Sequence, residues 1–113
     1  MAIYVKTDRP HTVVRKLREL INEMEIDTWI LDEDNDFTHK SPQWRELAWI
    51  HPVIEDERVV FAIIGSQSKP LTRVIYGVYM GRFVECLIMH MDSYIQSIRV
   101  SAKPSSVYDS YRE

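Results

Sequence analysis

Cys86 and His90 stand four residues apart in the segment "VECLIMHMD". On a helix that spacing lets both side chains reach one metal ion, or lets the imidazole deprotonate the thiol. Structural zinc takes about four ligands, and the chain has one cysteine. His11, His39, His51 or a carboxylate would have to complete the site. A nucleophilic thiol needs its pKa lowered, usually at a helix N-terminus or beside a cation, whereas Cys86 falls at the margin of an apolar arc. The pair reads as the flank of a core helix, and no metal, cofactor or catalytic residue is expected.

The acidic run "DEDND" places Asp32, Asp34 and Asp36 at the alternate spacing that opens a calcium loop. The pattern then fails. Phe37 stands where the loop needs glycine, and Gln43 where it needs a bidentate glutamate. The run therefore marks a charged hairpin end, suited to meeting a basic partner surface. Trp44 and Trp49, aromatic residues on an expected strand, are the natural apolar anchors of such a surface. The expected partner-binding set is Asp32, Asp34, Asp36, Trp44 and Trp49.

Two alternatives stay open. His39 and His51 lie near the tryptophans, and a histidine with a neighbouring acid serves as a general base; Asp36 is close to His39 in sequence. A small enzyme would draw on His39, His51 or His90 with Cys86 or an acid. Against it, no nucleophile stands at a sharp strand-to-helix turn, and three glycines build no phosphate loop. A small-ligand binder for a nucleotide would stack the base on a sheet aromatic and use Arg45, Arg73, Tyr76 and Arg82, with the helix start at Gly81 and Arg82 receiving an anion.

The elements that must position these residues follow from patterning. The chain of 113 residues, 45% hydrophobic and 27% charged, has the profile of one globular domain. Residues 26–58 hold nine acids and three bases, within a net charge of −3. Duplex nucleic acid is disfavoured as a partner, since phosphate contacts call for a basic excess. No unbroken apolar run approaches the ~20 residues of a membrane span, and the N-terminus lacks a signal-peptide layout. The lone cysteine agrees with a reducing compartment. A soluble cytoplasmic protein is expected.

Alternation in "AIYVKT" predicts a first strand, followed by an amphipathic helix with Asp8 as its cap, Pro10 in its first turn and Val13, Val14, Leu17, Leu20, Ile21 and Met24 on its apolar side. A hairpin about Asp34 and Asn35 and another about Glu55 to Glu57 follow. Pro42 and Pro52 cannot donate to a ladder, so the strand between Trp44 and Ile54 should run at a sheet edge or bulge near Pro52. "LTRVIYGVYM", rich in β-branched and aromatic residues, predicts a further strand. Residues 82–99 then gather Phe83, Val84, Leu87, Ile88, Met91, Tyr94, Ile95 and Ile98 on one helical arc of about 140°.

The expected fold is α+β, one mostly antiparallel sheet of five to six strands with amphipathic helices after the first and last strands. Residues 1–100 form the domain and 101–113 a flexible tail. The run Val59 to Ile64 is apolar throughout, so both its faces should be buried. Either the helices split between the faces, or the second face meets another subunit, and a homodimer is expected. The functional expectation is a small non-catalytic binding protein, inhibitor-like or immunity-like, acting through a protein–protein surface.

Overall fold

The computed structural model describes residues 2–66, 68, 71–102 and 110–112, the last three by their backbone. The expected tail lies mostly outside these residues. The first strand, β1 (Ala2–Lys6), leads into α1 (Pro10–Asn22). Pro10 sits where its missing N–H costs nothing, but Asp8 does not cap the helix. The N-cap is Arg9, without a side-chain cap bond, and its amide donates to Thr7 Oγ1 at 3.0 Å. Val13, Val14, Leu17 and Ile21 form the buried stripe of α1.

Two hairpins follow as expected, β2 (Trp29–Leu31) with β3 (Phe37–His39), and β4 (Trp49–Glu55) with β5 (Arg58–Ser66). The strand expected from Trp44 begins only at Trp49, because the residues between Ser41 and Leu47 turn repeatedly. It is also interior to the sheet. β4 pairs with β5 along its length but with β3 only through Ile50, so the half carrying Pro52 is an edge on that side and loses no ladder bond there.

The larger correction concerns the second helix. Residues expected as a strand through Tyr76 and Tyr79 are helical, and α2 runs Arg73–Met91. Thr72 caps it, Oγ1 accepting from the Ile75 amide at 3.2 Å. The helix stops at Met91, and a short 3₁₀ turn at Asp92–Tyr94 leads to β6 (Ser97–Val100). Tyr94, Ile95 and Ile98, expected on the helix, belong to that turn, the link and the strand. The second helix therefore precedes the last antiparallel strand instead of following it.

The fold is α+β. Six antiparallel strands run in the order β2-β3-β4-β5-β1-β6, and a short β7 (Ser110–Arg112) lies parallel to the end of β5. Both helices cover the same face of the sheet. Ile3, Val5, Phe37, Ile50, Val59, Phe61 and Ile63 share one core with Leu17, Ile21, Phe83, Leu87 and Met91. On the other face, the registers align Tyr4, Val60, Val53 and Arg99 in one row and Ala2, Ala62 and His51 in the next. Val60 and Ala62 are buried there within the chain itself. Tyr4 stands beside Val60 with the Arg99 and Arg58 guanidiniums 4.1 and 5.4 Å from its ring centre. Among the described residues, the fully exposed positions of the helix-free face are polar, its apolar side chains are buried or half-buried, and the large exposed apolar residues lie elsewhere.

Three of those residues, Val74, Ile88 and Met89, are on α2. With the turn after it, Arg73–Tyr94 is long and apolar enough to cross a membrane by length and composition alone. Its buried stripe, which includes Tyr79, Phe83, Leu87 and Met91, is a core contact. Truncation separates the two sides of this helix. Phe83→Ala, in the fully buried stripe, costs about 3–5 kcal/mol, whereas Ile88→Ala, largely exposed, stays within about 1 kcal/mol; urea unfolding monitored by circular dichroism measures both.

Candidate functional site

The β2–β3 turn is built around one carboxylate. Asp32 Oδ1 accepts from the amides of Asp34 and Asp36, each at 2.9 Å, while the Asp32 amide donates to the Asp36 carbonyl at 3.0 Å. Asn35 takes the left-handed conformation at φ 61°, which asparagine tolerates better than most residues. Arg18 of α1 reaches across to donate from Nη2 to the Asn35 carbonyl at 3.1 Å. Asp32 thus organises the turn, Asp34 stands at its exposed tip, and Asp36 leaves it pointing into the sheet.

The register Phe37↔Ile50 sets Asp36 next to His51 on the helix-free face. The carboxylate of Asp36, nearly fully buried, lies 2.6 Å from His51 Nδ1, while the His51 side chain is 48% exposed. Nδ1–H donates to the carboxylate, leaving Nε2 on the exposed side. Asp36 therefore pairs with His51 and not with His39, its nearer neighbour in sequence. A buried acid behind an accessible imidazole positions a general base, but among the described residues no serine, threonine or cysteine is hydrogen-bonded to His51.

A second set of contacts shapes the loop from Ser41 to Ala48. Thr38 Oγ1, buried, donates to the Ala48 carbonyl and accepts from the Glu46 amide, both at 3.0 Å. Tyr79 of α2 lies 3.2 Å from that hydroxyl and donates its own proton to the Trp44 carbonyl. Arg45 closes the loop by donating from Nε and Nη2 to the Lys40 carbonyl at 3.0 and 2.6 Å. Held this way, Glu46 adopts φ 59°, a region costing a non-glycine residue about 1–2 kcal/mol.

Between turn and loop is a cleft of about 470 Å³, lined by Asp32, Glu33 and Glu46 together with Ile30, Trp49 and Thr38. Two separate segments bring three acidic residues to the wall of one cleft with Trp49. Of the expected partner-binding residues, Asp32 and Trp49 line the cleft, and Asp36 is beside it in the His51 pair. Trp44 is turned inward against the core. Glu33 and Glu46 were not among the expected residues. Glu33 is part of the acidic run, but nothing in "WRELAW" marks Glu46, because its place depends on the loop around Thr38.

The other candidate groups do not converge. Arg45, Arg73, Tyr76 and Arg82 line neither this cleft nor those beside Tyr4, Ile88 or His11. Tyr76 donates to the Ser101 carbonyl, and Arg82 pairs with Glu85 at 3.6 Å. Among the described residues no cluster of three or more His, Cys, Asp or Glu side chains is placed to hold a metal ion. No protein-family model matches the chain, and no curated protein or solved structure matches it significantly.

Burial pushes the Cys86 thiol up to about 12, with Glu85 adding to the effect. Cys86 in the folded protein should react with a disulfide reagent at pH 8 at least 100-fold more slowly than in denaturant, because almost no thiolate forms; thiol titration by absorbance measures the ratio. His39 is also buried, and its Nδ1 accepts from the Ser41 amide at 3.1 Å. Burial first, and then the nearby Arg82 charge, hold its pKa below the ordinary 6.5. The unfolded chain therefore takes up the proton first as pH falls, so a penalty absent above pH 6.5 grows below it. His39→Asn, whose Oδ1 can accept the Ser41 amide, should flatten the loss of stability between about pH 7 and pH 5 in urea titrations.

Proposed function

We propose that the protein is a non-catalytic binding protein that acts through a protein–protein surface, in the manner of an inhibitor or immunity protein. Its binding surface is the acidic cleft on the helix-free face, and its partner presents a basic segment. The observation that carries this reading is that Asp32, Glu33 and Glu46 line one cleft together with Trp49. Carboxylates at the rim steer and select a lysine or arginine side chain, while the indole offers it a flat apolar and cation–π contact. Glu46 adds support. Glycine would take its left-handed backbone at lower cost, so a carboxylate kept there is consistent with a role for its charge.

The His51 imidazole, fixed by Asp36 two residues along from Trp49, supplies a hydrogen-bonding group at the border of the same surface. Raised thiol pKa and burial remove Cys86 from the contacts available to a partner.

The reading is tested with a hexapeptide of alternating arginine and lysine, followed by two-dimensional amide and indole NMR. The Trp49 indole and Glu46 amide resonances should move on titration. Affinity should fall at least 5-fold when salt is raised from about 50 to about 500 mM, as screening requires, and again in the Glu33→Lys/Glu46→Lys variant. A peptide that leaves both resonances in place, or that binds the charge-reversed variant equally well, would exclude the cleft as the binding surface.

A further inference from the structure

α2 is apolar on two sides, and only one of them has a use inside the fold. Opposite its buried stripe, Val74, Ile88 and Met89 are 64, 57 and 68% exposed. Only 33% of the most apolar stretch of this helix is buried. At 100° per residue Val74, Val78, Gly81, Glu85, Ile88 and Asp92 share one narrow arc, with Gly77 and Met89 at its two edges. A methyl group built on Gly77 or Gly81 would meet no neighbouring atom within 4 Å. The centre of the stripe is therefore a shallow, open depression flanked by larger apolar side chains. Beside its C-terminal end a groove of about 350 Å³ is lined by Leu87, Ile88, Ile95 and Ile98.

We infer that this face pairs with the same face of a second copy, the two α2 helices crossing antiparallel at Gly81. Charge order along the helix selects that partner and that direction. With a rise of 1.5 Å per residue, Arg73 lies about 12 Å to one side of Gly81 and Asp92 about 16 Å to the other. Antiparallel pairing sets Arg73 of each copy opposite Met89 of the other, about 4 Å short of its Asp92 along the axis and within reach of a guanidinium. It also sets Val74 opposite Ile88 and brings Arg82 within side-chain reach of the other copy's Glu85. Parallel pairing would instead stack Arg73 on Arg73 and Asp92 on Asp92. The missing side chains of Gly77 and Gly81 let the two backbones approach closely, which is what small residues four apart on a helix face permit.

The contact is small. A helix of 19 residues is about 28 Å long, and its stripe with the adjoining groove offers well under the ~800 Å² per partner of a standard stable interface. A weak, reversible dimer is what a contact of that size supports. This pairing does not depend on the acidic cleft, which lies on the opposite face of the sheet.

Sedimentation velocity between about 2 and 200 μM tests it. The wild-type chain should pass from monomer to dimer across that range, and Gly81→Leu and Ile88→Glu should each shift the midpoint at least 10-fold upward. Arg73→Glu should weaken the dimer at least 5-fold, and the double variant Arg73→Glu/Asp92→Arg should recover it, a result that non-specific apolar association cannot give. Melting curves confirm that these exposed substitutions leave the monomer folded. A strict monomer at 200 μM would overturn the proposal, as would a dimer indifferent to Gly81→Leu and Ile88→Glu. Flotation of the monomeric chain with anionic phospholipid vesicles, lost in Ile88→Glu, would also overturn it by assigning the stripe to a membrane surface.

Discussion

Phe83 is the side chain on which the arrangement of this molecule turns. Its ring meets Phe61 of β5, Phe37 of β3 and Trp29 of β2 at centroid distances of 4.9, 5.3 and 5.2 Å. Each contact is tilted or edge-on, the geometry that aromatic quadrupoles favour, and such pairs contribute about 0.5–1.5 kcal/mol beyond area burial. One residue of α2 is thereby tied to three strands that are not all neighbours. Once Phe83 is seated, the rotation of α2 about its own axis is set. Tyr79, one turn earlier, then reaches Thr38 and the Trp44 carbonyl, and those contacts shape the loop that carries Glu46. The acidic cleft on one side of the sheet is in this sense built from the core on the other.

The same rotation divides the surface. With both helices on one face, the reverse face is free of them, and the residues presented there are mostly polar. Strand alternation alone decides which residues these are. His51 and Trp49 face outward because Ile50 faces inward, and Asp36 joins them because its successor Phe37 is committed to the core. A one-residue slip of β4 against its neighbours would bury His51 and expose Ile50. Stability and site geometry are thus enforced by the same hydrophobic residues.

Much of this was legible in the sequence. Alternation gave β1, Asn35 took a left-handed conformation at the first hairpin end, where its side chain tolerates it, and Val59 to Ile63 of the apolar run in β5 proved buried on both faces. The hairpin about Asp34 and Asn35 formed where the acidic run places it, whereas Trp44, grouped with Trp49 in the sequence, packs against the core. The misreading of residues 71–80 has a definite cause. Val74, Ile75, Tyr76, Val78 and Tyr79 all favour strands intrinsically, and the spacing that sends Tyr79, Phe83 and Leu87 to one side becomes visible only when the helix is allowed to start before Gly81. Starting it there extended the pattern falsely through Ile98, since Ser97–Val100 is too short for strand alternation to compete. Glu46 and the His51–Asp36 pair were out of reach for a different reason. Both depend on contacts between segments whose register no local pattern specifies.

The composition of α2 makes sense only in tertiary terms. Two glycines and several β-branched residues leave it a poor helix by intrinsic propensity, and its six buried side chains hold it in place against that cost. For that work its outward face needed only ordinary helix formers such as alanine, glutamate or lysine. Val74, Gly77, Val78, Gly81 and Ile88 instead weaken the helix locally, and the three valine and isoleucine side chains are incompletely covered by the monomer. Residues that oppose the local structure and gain little from the fold are the ones for which an external contact is the economical physical explanation. The inner face of α2 accounts for the fold, and the outer face, unexplained by the monomer, is the one to which the proposed pairing is assigned.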